Sequence, residues 1–337
     1  MTELVTDYHL PAGAEPYVVR HGRGLRHLVA GEIVTTLAGG AQTAGAFGVL
    51  VADTQQARGP IPMHYHEREY DTWLCTRGQL RVWAEDQCRT LRPGDFAYAA
   101  PFARHSYQGV SPRMGFFGVV APGGWEQFMA DAGEVWGMTG LPPADRPFDF
   151  SRMGPAMAKH DVHRVPDAAY AEPTAMGADD HDLPADGRSY YLEAGHGPRA
   201  TLLGHLATTL ITRAQTGGTT DMLTIEAGRD AAMPLLRHRA TATFLYVLAG
   251  EIALTLDGQD YRLTGGDGAN IPAGTAYATC VTSGNARWVM ASGNGDGGAM
   301  WHAAGTPCPG FCYPLDDQRD DGRDRLAGLA GVDVELA

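Results

Sequence analysis

Hydrophobic and polar positions alternate along short stretches of the chain. Gln79-Leu-Arg-Val-Trp-Ala84 alternates after Gly78, and Glu251-Ile-Ala-Leu-Thr-Leu256 alternates after Gly250. A period of two marks a half-buried strand, because successive side chains leave opposite faces. Each run ends in a turn signal, Glu85-Asp86-Gln87 in one case and Asp257-Gly258 in the other. Many short strands punctuated by Gly, Pro and Asp predict an all-β fold of sandwich or small-barrel modules. One segment has a different period. Between Trp125 and Trp136 the residues Trp125, Phe128, Met129 and Val135 recur at helical spacing, so a helix is expected there.

The strands fall into two sets. Gly78 is matched by Gly250, and Gly94-Asp95 by Gly266-Asp267, at a constant offset of 172 residues (250 − 78, 266 − 94). Earlier in each set, Pro16-Tyr-Val-Val-Arg-His-Gly-Arg-Gly24 is echoed by Ser189-Tyr-Tyr-Leu-Glu-Ala-Gly-His-Gly197. So long a period means two copies of a domain, not a solenoid. A length of 337 residues agrees with about two domains. The expected division is an N-terminal module over 1–140, a linker over 141–187 and a C-terminal module over 188–337. The linker is rich in Pro and acidic residues and is expected to hold one short helix. The tail after Trp301 is rich in Gly and Pro, turns highly charged from Leu315 to Arg325, and is expected to end in a short helix.

Composition narrows the partners. With 44% hydrophobic and 19% charged residues a packed core is expected. The 26 basic and 39 acidic residues give a net charge of −13, which repels nucleic-acid phosphates and anionic membranes. Neither is expected as a partner. The first residues lack a basic and then apolar leader pattern, and no apolar run is long enough to span a bilayer. The five cysteines are an odd number, which suits reduced thiols in a cytoplasm. Cys308 and Cys312, with His302 nearby, form a CxxxC pair without a second pair, a weak basis for structural zinc.

The candidate chemistry lies between Gly59 and His105. His64 and His66 are two apart on an extended strand, so both imidazoles face one side. Glu67 to Tyr70 are polar enough to turn the chain, and Asp71 then opens the return strand. After the turn Arg92-Pro-Gly-Asp95 and the segment Phe96-Ala-Tyr-Ala-Ala-Pro101, a strand pair can deliver His105 to the same cluster. Three imidazoles and a carboxylate suit a borderline divalent metal.

The ordered set HxH, four residues, an acid, then Pro-Gly-Asp and a distal His resembles the double motif of the cupins. HYHEREYDTWLCTRGQLRVW followed by LRPGDFAYAAPFARHSYQ is similar to the quercetinases, flavonol dioxygenases that are bicupins of this length. The resemblance implies two jelly-roll barrels joined by a short, partly helical linker. It implies one divalent transition metal (Ni, Mn, Co, Fe or Cu) on His64, His66, Asp71 and His105, with Asp71 as ligand or catalytic base. In the resembled enzymes the motif acid takes the proton of the flavonol 3-hydroxyl, dioxygen adds, the ring opens and carbon monoxide leaves with a depside. A small aromatic substrate and dioxygen are the partners so implied, and a homodimer is compatible. An isomerase, cyclase or lyase on the same metal is the alternative.

Two departures stand out. The family's acid is glutamate; Asp71 is one methylene shorter, about 1.5 Å of reach. Glu69 is a substitute at the wrong spacing. In the second copy the aligned positions are Leu236, His238, Thr243 and Tyr277, so that barrel is expected to be metal-free. Tyr70, Trp73, Trp83, Phe96, Tyr98, Tyr107, Phe116 and Phe117 lie on or beside strands that could line an aromatic pocket, most of them as core. Arg77, Arg81 and Arg104 are the nearby cations.

Overall fold

The computed structural model describes residues 2–57, 59–143, 146–315 and 322–337. Residues 316–321, most of the charged run in the tail, lie outside the described residues. The chain forms two compact units, each built from two β-sheets. One unit comprises Arg23–Gly40 and Phe47–His196, the other Met1–Gly22, Ala41–Ala46 and Gly197–Ala337.

In the first unit an eight-stranded sheet runs, in spatial order, Glu134–Val135, Leu25–Val29, Glu32–Ala38, Gly48–Thr54, Met114–Val120, Asp71–Arg77, Phe96–Ala99 and Tyr190–Leu192. A five-stranded sheet runs His163–Arg164, His64–Tyr65, His105–Gly109, Leu80–Ala84 and Gln87–Leu91. Inward residues of both sheets, among them Trp73, Ala97 and Phe116 from one and Leu80 and Val82 from the other, form one buried cluster. The second unit repeats this order. In its long sheet Gly268–Ile271 pairs with Tyr17–Val19, which pairs in parallel with the edge strand Glu3–Val5, and its short sheet runs Gln259–Thr264, Glu251–Leu256, Tyr277–Val281, Ala232–Arg237 and Glu335–Leu336. Leu245, Val247, Ile252, Leu254 and Trp288 are fully buried between its sheets.

The units differ from the expected division first in the strands that complete their long sheets. Each long sheet is completed by a strand from the other half of the sequence. Tyr17–Val19 pairs antiparallel with Gly268–Asn270, and Tyr190–Leu192 pairs with Phe96–Tyr98. These are the two segments whose likeness opened the repeat. Backbone pairing decides the assignment, and a carboxylate reinforces it. Asp267 Oδ1 accepts from the His21 N–H at 2.9 Å, and Asp95 Oδ1 accepts from the Ala194 N–H at 2.9 Å.

The 141–187 segment is also more than a linker. It forms the helix Met153–Lys159 and then His163–Arg164, which pairs with His64–Tyr65. At the same offset of 172 (335 − 163), Glu335–Leu336 pairs with Leu236–Arg237. The tail is therefore the second copy of this arm, and its short helix is Arg323–Ala327. The helix expected over Trp125–Trp136 is shorter, Gln127–Ala132. It stops at Gly133, where a Cβ would come within 2.7 Å of Val29 Cγ2, and Val135 passes into a strand with its side chain exposed. No helix among the described residues is long and apolar enough to cross a membrane.

Candidate metal centre

Strand pairing gathers the four residues singled out in the sequence. His64 opens His64–Tyr65, His105 opens His105–Gly109, and the two stand opposite each other in the antiparallel register. Their ring centroids are 4.4 Å apart. His66 follows on the same face, with its ring 5.2 Å from His64 and 5.1 Å from His105. Asp71 opens the return strand Asp71–Arg77 after the polar turn. One ligand atom from each of the four lies within 4.8 Å of the other three.

The missing methylene is made up by the backbone. Asp71 Oδ2 stands 3.5 Å from His66 Nε2 and 3.3 Å from His105 Nε2. Two atoms each about 2.1 Å from one ion, at near-tetrahedral angles, are about 3.4 Å apart. Asp71 thus reaches the group from its own strand.

The imidazoles are held from behind. Nδ1 of His64 meets Pro62 O at 2.9 Å, Nδ1 of His66 meets Asp161 O at 2.7 Å, and Nδ1 of His105 meets Ala103 O at 2.9 Å. A donor at Nδ1 fixes the tautomer and leaves Nε2 with its lone pair, as a metal ligand requires. His66 Nε2, His105 Nε2 and Asp71 Oδ1 are buried with no hydrogen-bond partner. Such orphaned atoms cost about 1–3 kcal/mol each unless something engages them. A divalent transition metal held by His64, His66, Asp71 and His105 would engage the two ring nitrogens and the carboxylate together, and the donor set of three nitrogens and a carboxylate fits it.

Charge agrees with that use. Burial opposes ionisation of Asp71, but the His66 and His105 rings outweigh it and hold the carboxyl well below the usual range. Burial, with His105 and His66 alongside, holds His64 well below the usual imidazole value, so it is neutral and ready to ligate.

Other candidates sort differently. Glu69 is buried but stays outside the four-residue group. It hydrogen-bonds Asp161, and burial pushes its carboxyl up to about 7. Trp73 lies 5.6 Å from the His105 ring, Tyr107 is 6.2 Å from Trp73, and Phe116 is 5.3 Å from Tyr107. Tyr70, Tyr98, Phe96 and Tyr190 stack among themselves, and Trp83 packs with Met63 and Cys88. Arg77 and Arg104 are exposed and Arg81 is half-buried. His302 Nε2 meets Thr209 Oγ1 at 2.6 Å, and Cys308 and Cys312 belong to no ligand cluster among the described residues.

Three residues of the site escaped the sequence. Trp125 sets its ring edge-on to His66 at 5.1 Å. Glu32 is buried and accepts from Tyr107 Oη at 2.5 Å; burial pushes its carboxyl up to about 7, against the pull of that hydrogen bond. Asp161 stands behind His66. The helical spacing of Trp125 was visible, but nothing local marks Glu32 or Asp161.

In the second unit His238 Nε2 faces the Tyr277 hydroxyl at 3.1 Å, where the first unit keeps His105, and Leu236 is fully buried in the core. Among the described residues no cluster of three ligand types includes His238. A further cluster, His181, Glu193 and His196, stacks its imidazoles parallel at 3.6 Å and 7°, so their in-plane lone pairs do not converge on one ion.

Residues 51–114 and 222–292 each match the family described as Cupin domain. The chain is a bicupin. Over 313 residues it is 25% identical to quercetin 2,3-dioxygenase of Bacillus subtilis (strain 168), covering 92% of each chain. Over 124 residues it is 28% identical to quercetin 2,3-dioxygenase of Aspergillus japonicus, 34% of this bicupin and 35% of that protein. The fold is shared with salicylate 1,2-dioxygenase from Pseudaminobacter salicylatoxidans, with a TM-score of 0.54 at 13% identity over 86% of each chain. The bicupin is a metal-dependent one, and its ligand chemistry leaves the metal's identity open.

Proposed function

We propose that this bicupin is a dioxygenase of the quercetinase kind, which opens the ring of a flavonol or similar enol-bearing aromatic with dioxygen. The observation that carries the proposal is the buried set His64, His66, Asp71 and His105, with orphaned ring nitrogens beside an ionised carboxylate. Likeness to two quercetin 2,3-dioxygenases supports the choice of reaction. On this reading the four residues hold one metal, which supplies a Lewis-acidic site for the substrate oxygen and access to dioxygen.

The chain's own residues then have distinct tasks. Asp71 is anionic and buried beside the ring nitrogens, and on this reading it serves as ligand or, where the substrate's enol hydroxyl comes within hydrogen-bond reach, as the base that accepts its proton. His64, neutral, keeps its lone pair for ligation. Trp73, Tyr107 and Phe116 form the aromatic wall that a flat ring can stack against. The balance is one flavonol and one dioxygen consumed, with one depside and one carbon monoxide released. The substrate is small and aromatic, and a cytoplasmic setting is supported by five free cysteines.

Metal-loaded protein with quercetin in an oxygen electrode tests this directly. One dioxygen consumed per flavonol bleached is the expected result; no uptake with Ni, Mn, Co, Fe or Cu rejects the proposal. The aspartate in place of glutamate favours one second reading, a non-oxidative isomerase, cyclase or lyase. Turnover at an unchanged rate without oxygen would select it.

A further inference from the structure

We infer that Asp161 is the positioning residue of the metal centre, orienting His66 through its backbone carbonyl and fixing the turn that leads to Asp71 through its carboxylate. The inference rests on the metal-centre part of the proposed function and adds a residue from the arm, 95 positions beyond His66 (161 − 66).

Asp161 is a hub. Its backbone oxygen accepts from His66 Nδ1 at 2.7 Å. Its Oδ2 accepts the N–H groups of Glu67 and Arg68, both at 3.0 Å. Its Oδ1 lies 2.7 Å from His163 Nε2, on the strand that pairs with His64–Tyr65. Its φ is +55°, a left-handed conformation that aspartate tolerates better than most residues. One residue thus ties the ring of a ligand, the turn after it and the neighbouring strand. The free rotation of His66 about χ1 and χ2 is what such ties remove. Orientation matters because Nε2 must point its lone pair at the ion.

The second unit supplies a comparison within one molecule. At the offset of 172 (333 − 161), Asp333 O meets His238 Nδ1, Asp333 Oδ1 accepts from the Arg239 N–H at 2.8 Å, and Oδ2 accepts from Ala240 at 2.9 Å and Thr241 at 2.8 Å. The clamp is therefore built by the fold in both barrels. What differs is the other face of the ring. His238 Nε2 has Tyr277 opposite, whereas His66 Nε2 is buried with Asp71 beside it. The same tie is structural in one copy and orients a ligand in the other.

Cobalt(II) titration tests this without any turnover, read by the ligand-field absorption band and by competition with a chelator. Asp161→Ala keeps the carbonyl but removes the carboxylate that fixes its position, and should weaken cobalt binding by roughly 10–100-fold, the usual effect of disturbing the support behind a metal ligand. Asp161→Asn, which keeps one oxygen for the turn amides, should recover most of that affinity. Asp333→Ala should lower the melting temperature and leave cobalt affinity within about twofold. Wild-type affinity in Asp161→Ala overturns the inference. An equal loss in Asp333→Ala also overturns it, because the effect is then one of general stability. Where Asp161→Ala does not fold, Asp161→Gly decides, because glycine accepts the φ of +55° while removing the carboxylate: wild-type affinity and an unchanged cobalt band overturn the inference, and a shifted band with a severalfold loss supports it. Absent oxygen uptake with an intact cobalt titration counts against the dioxygenase alone. A wild-type protein that binds no cobalt counts against the metal centre, and the inference falls with it.

Discussion

At the scale of single residues, the site is a balance between orphaned donors and one carboxylate. Asp71 is ionised because two imidazoles face it, and those imidazoles stay in place because carbonyls hold them from behind. Removing the charge at constant size should break that balance. Asp71→Asn is expected to lower metal affinity at least about tenfold, the size of effect typical when the set around a metal is disturbed, measured by chelator competition. An unchanged affinity would remove Asp71 from the ligand set. This residue also shows how far sequence reasoning reaches. The HxH parity was legible from a period of two, the turn from the polarity of Glu67 to Tyr70, and the distal His from its place in the ordered set. The reach of Asp71 was not, because one methylene was weighed against a glutamate's geometry without the strand's position. Glu32 and Asp161 were invisible for a plainer reason. Their partners Tyr107 and His66 lie 75 and 95 residues away (107 − 32, 161 − 66), and no local pattern records such distances.

At the scale of elements, glycines fix where strands turn and how closely they pass. Gly250 has φ +76°, and a Cβ there would lie 2.1 Å from Asn285 O. Gly258, in the Asp257-Gly258 hairpin turn, has φ +75° but meets nothing within 4 Å. Gly258→Ala should therefore cost only the left-handed conformation, about 1 kcal/mol, while Gly250→Ala adds a backbone collision and should cost several times more, about 3 kcal/mol. Urea denaturation of the two variants separates them, and equal losses would show that the close approach is relieved cheaply. The sequence marked Gly258 as part of a turn and Gly250 as the residue before a strand and the repeat partner of Gly78. It did not mark the arm. Its strand, His163–Arg164, is two residues long and polar, so it carries no alternation to find. Only pairing with His64–Tyr65 makes it a strand, and pairing is not written locally.

At the scale of the whole chain, two kinds of prediction follow from the fold. The first concerns the strands contributed by the other half of the sequence. Removing residues 2–22 strips the strand Tyr17–Val19 from Gly268–Asn270 and uncovers an edge. The truncated protein should lose thermal stability and gain a tendency to aggregate by light scattering, while metal content per folded chain stays at the wild-type value. Loss of the metal with the segment would show that the two units do not behave as separate sites. The second concerns pH. Glu32 and Asp221 are both buried, and burial pushes each carboxyl up to about 7. Their folded values lie above the ordinary ones, so the neutral forms favour folding. That contribution is complete below about pH 4 and is lost as pH rises through about 7. Metal-free protein should therefore be less stable at pH 8 than at pH 5. Glu32→Gln should remove on the order of 3 kcal/mol of that difference while keeping an oxygen for Tyr107. A variant with the wild-type pH profile would show that Glu32 titrates normally. The repeat and its two barrels were legible from paired glycines and paired Gly-Asp turns. The crossing of Tyr17–Val19 and Tyr190–Leu192 was not, because the repeat aligns these segments without saying which barrel each completes.

The central claim is one metal in the first barrel on His64, His66, Asp71 and His105, and none in the second. Elemental analysis of metal per folded chain tests it most directly, across wild type, His105→Ala and His238→Ala. The account predicts one equivalent in wild type, near zero in His105→Ala and one in His238→Ala. Two equivalents in wild type, or an equivalent that survives His105→Ala and vanishes with His238→Ala, would contradict it.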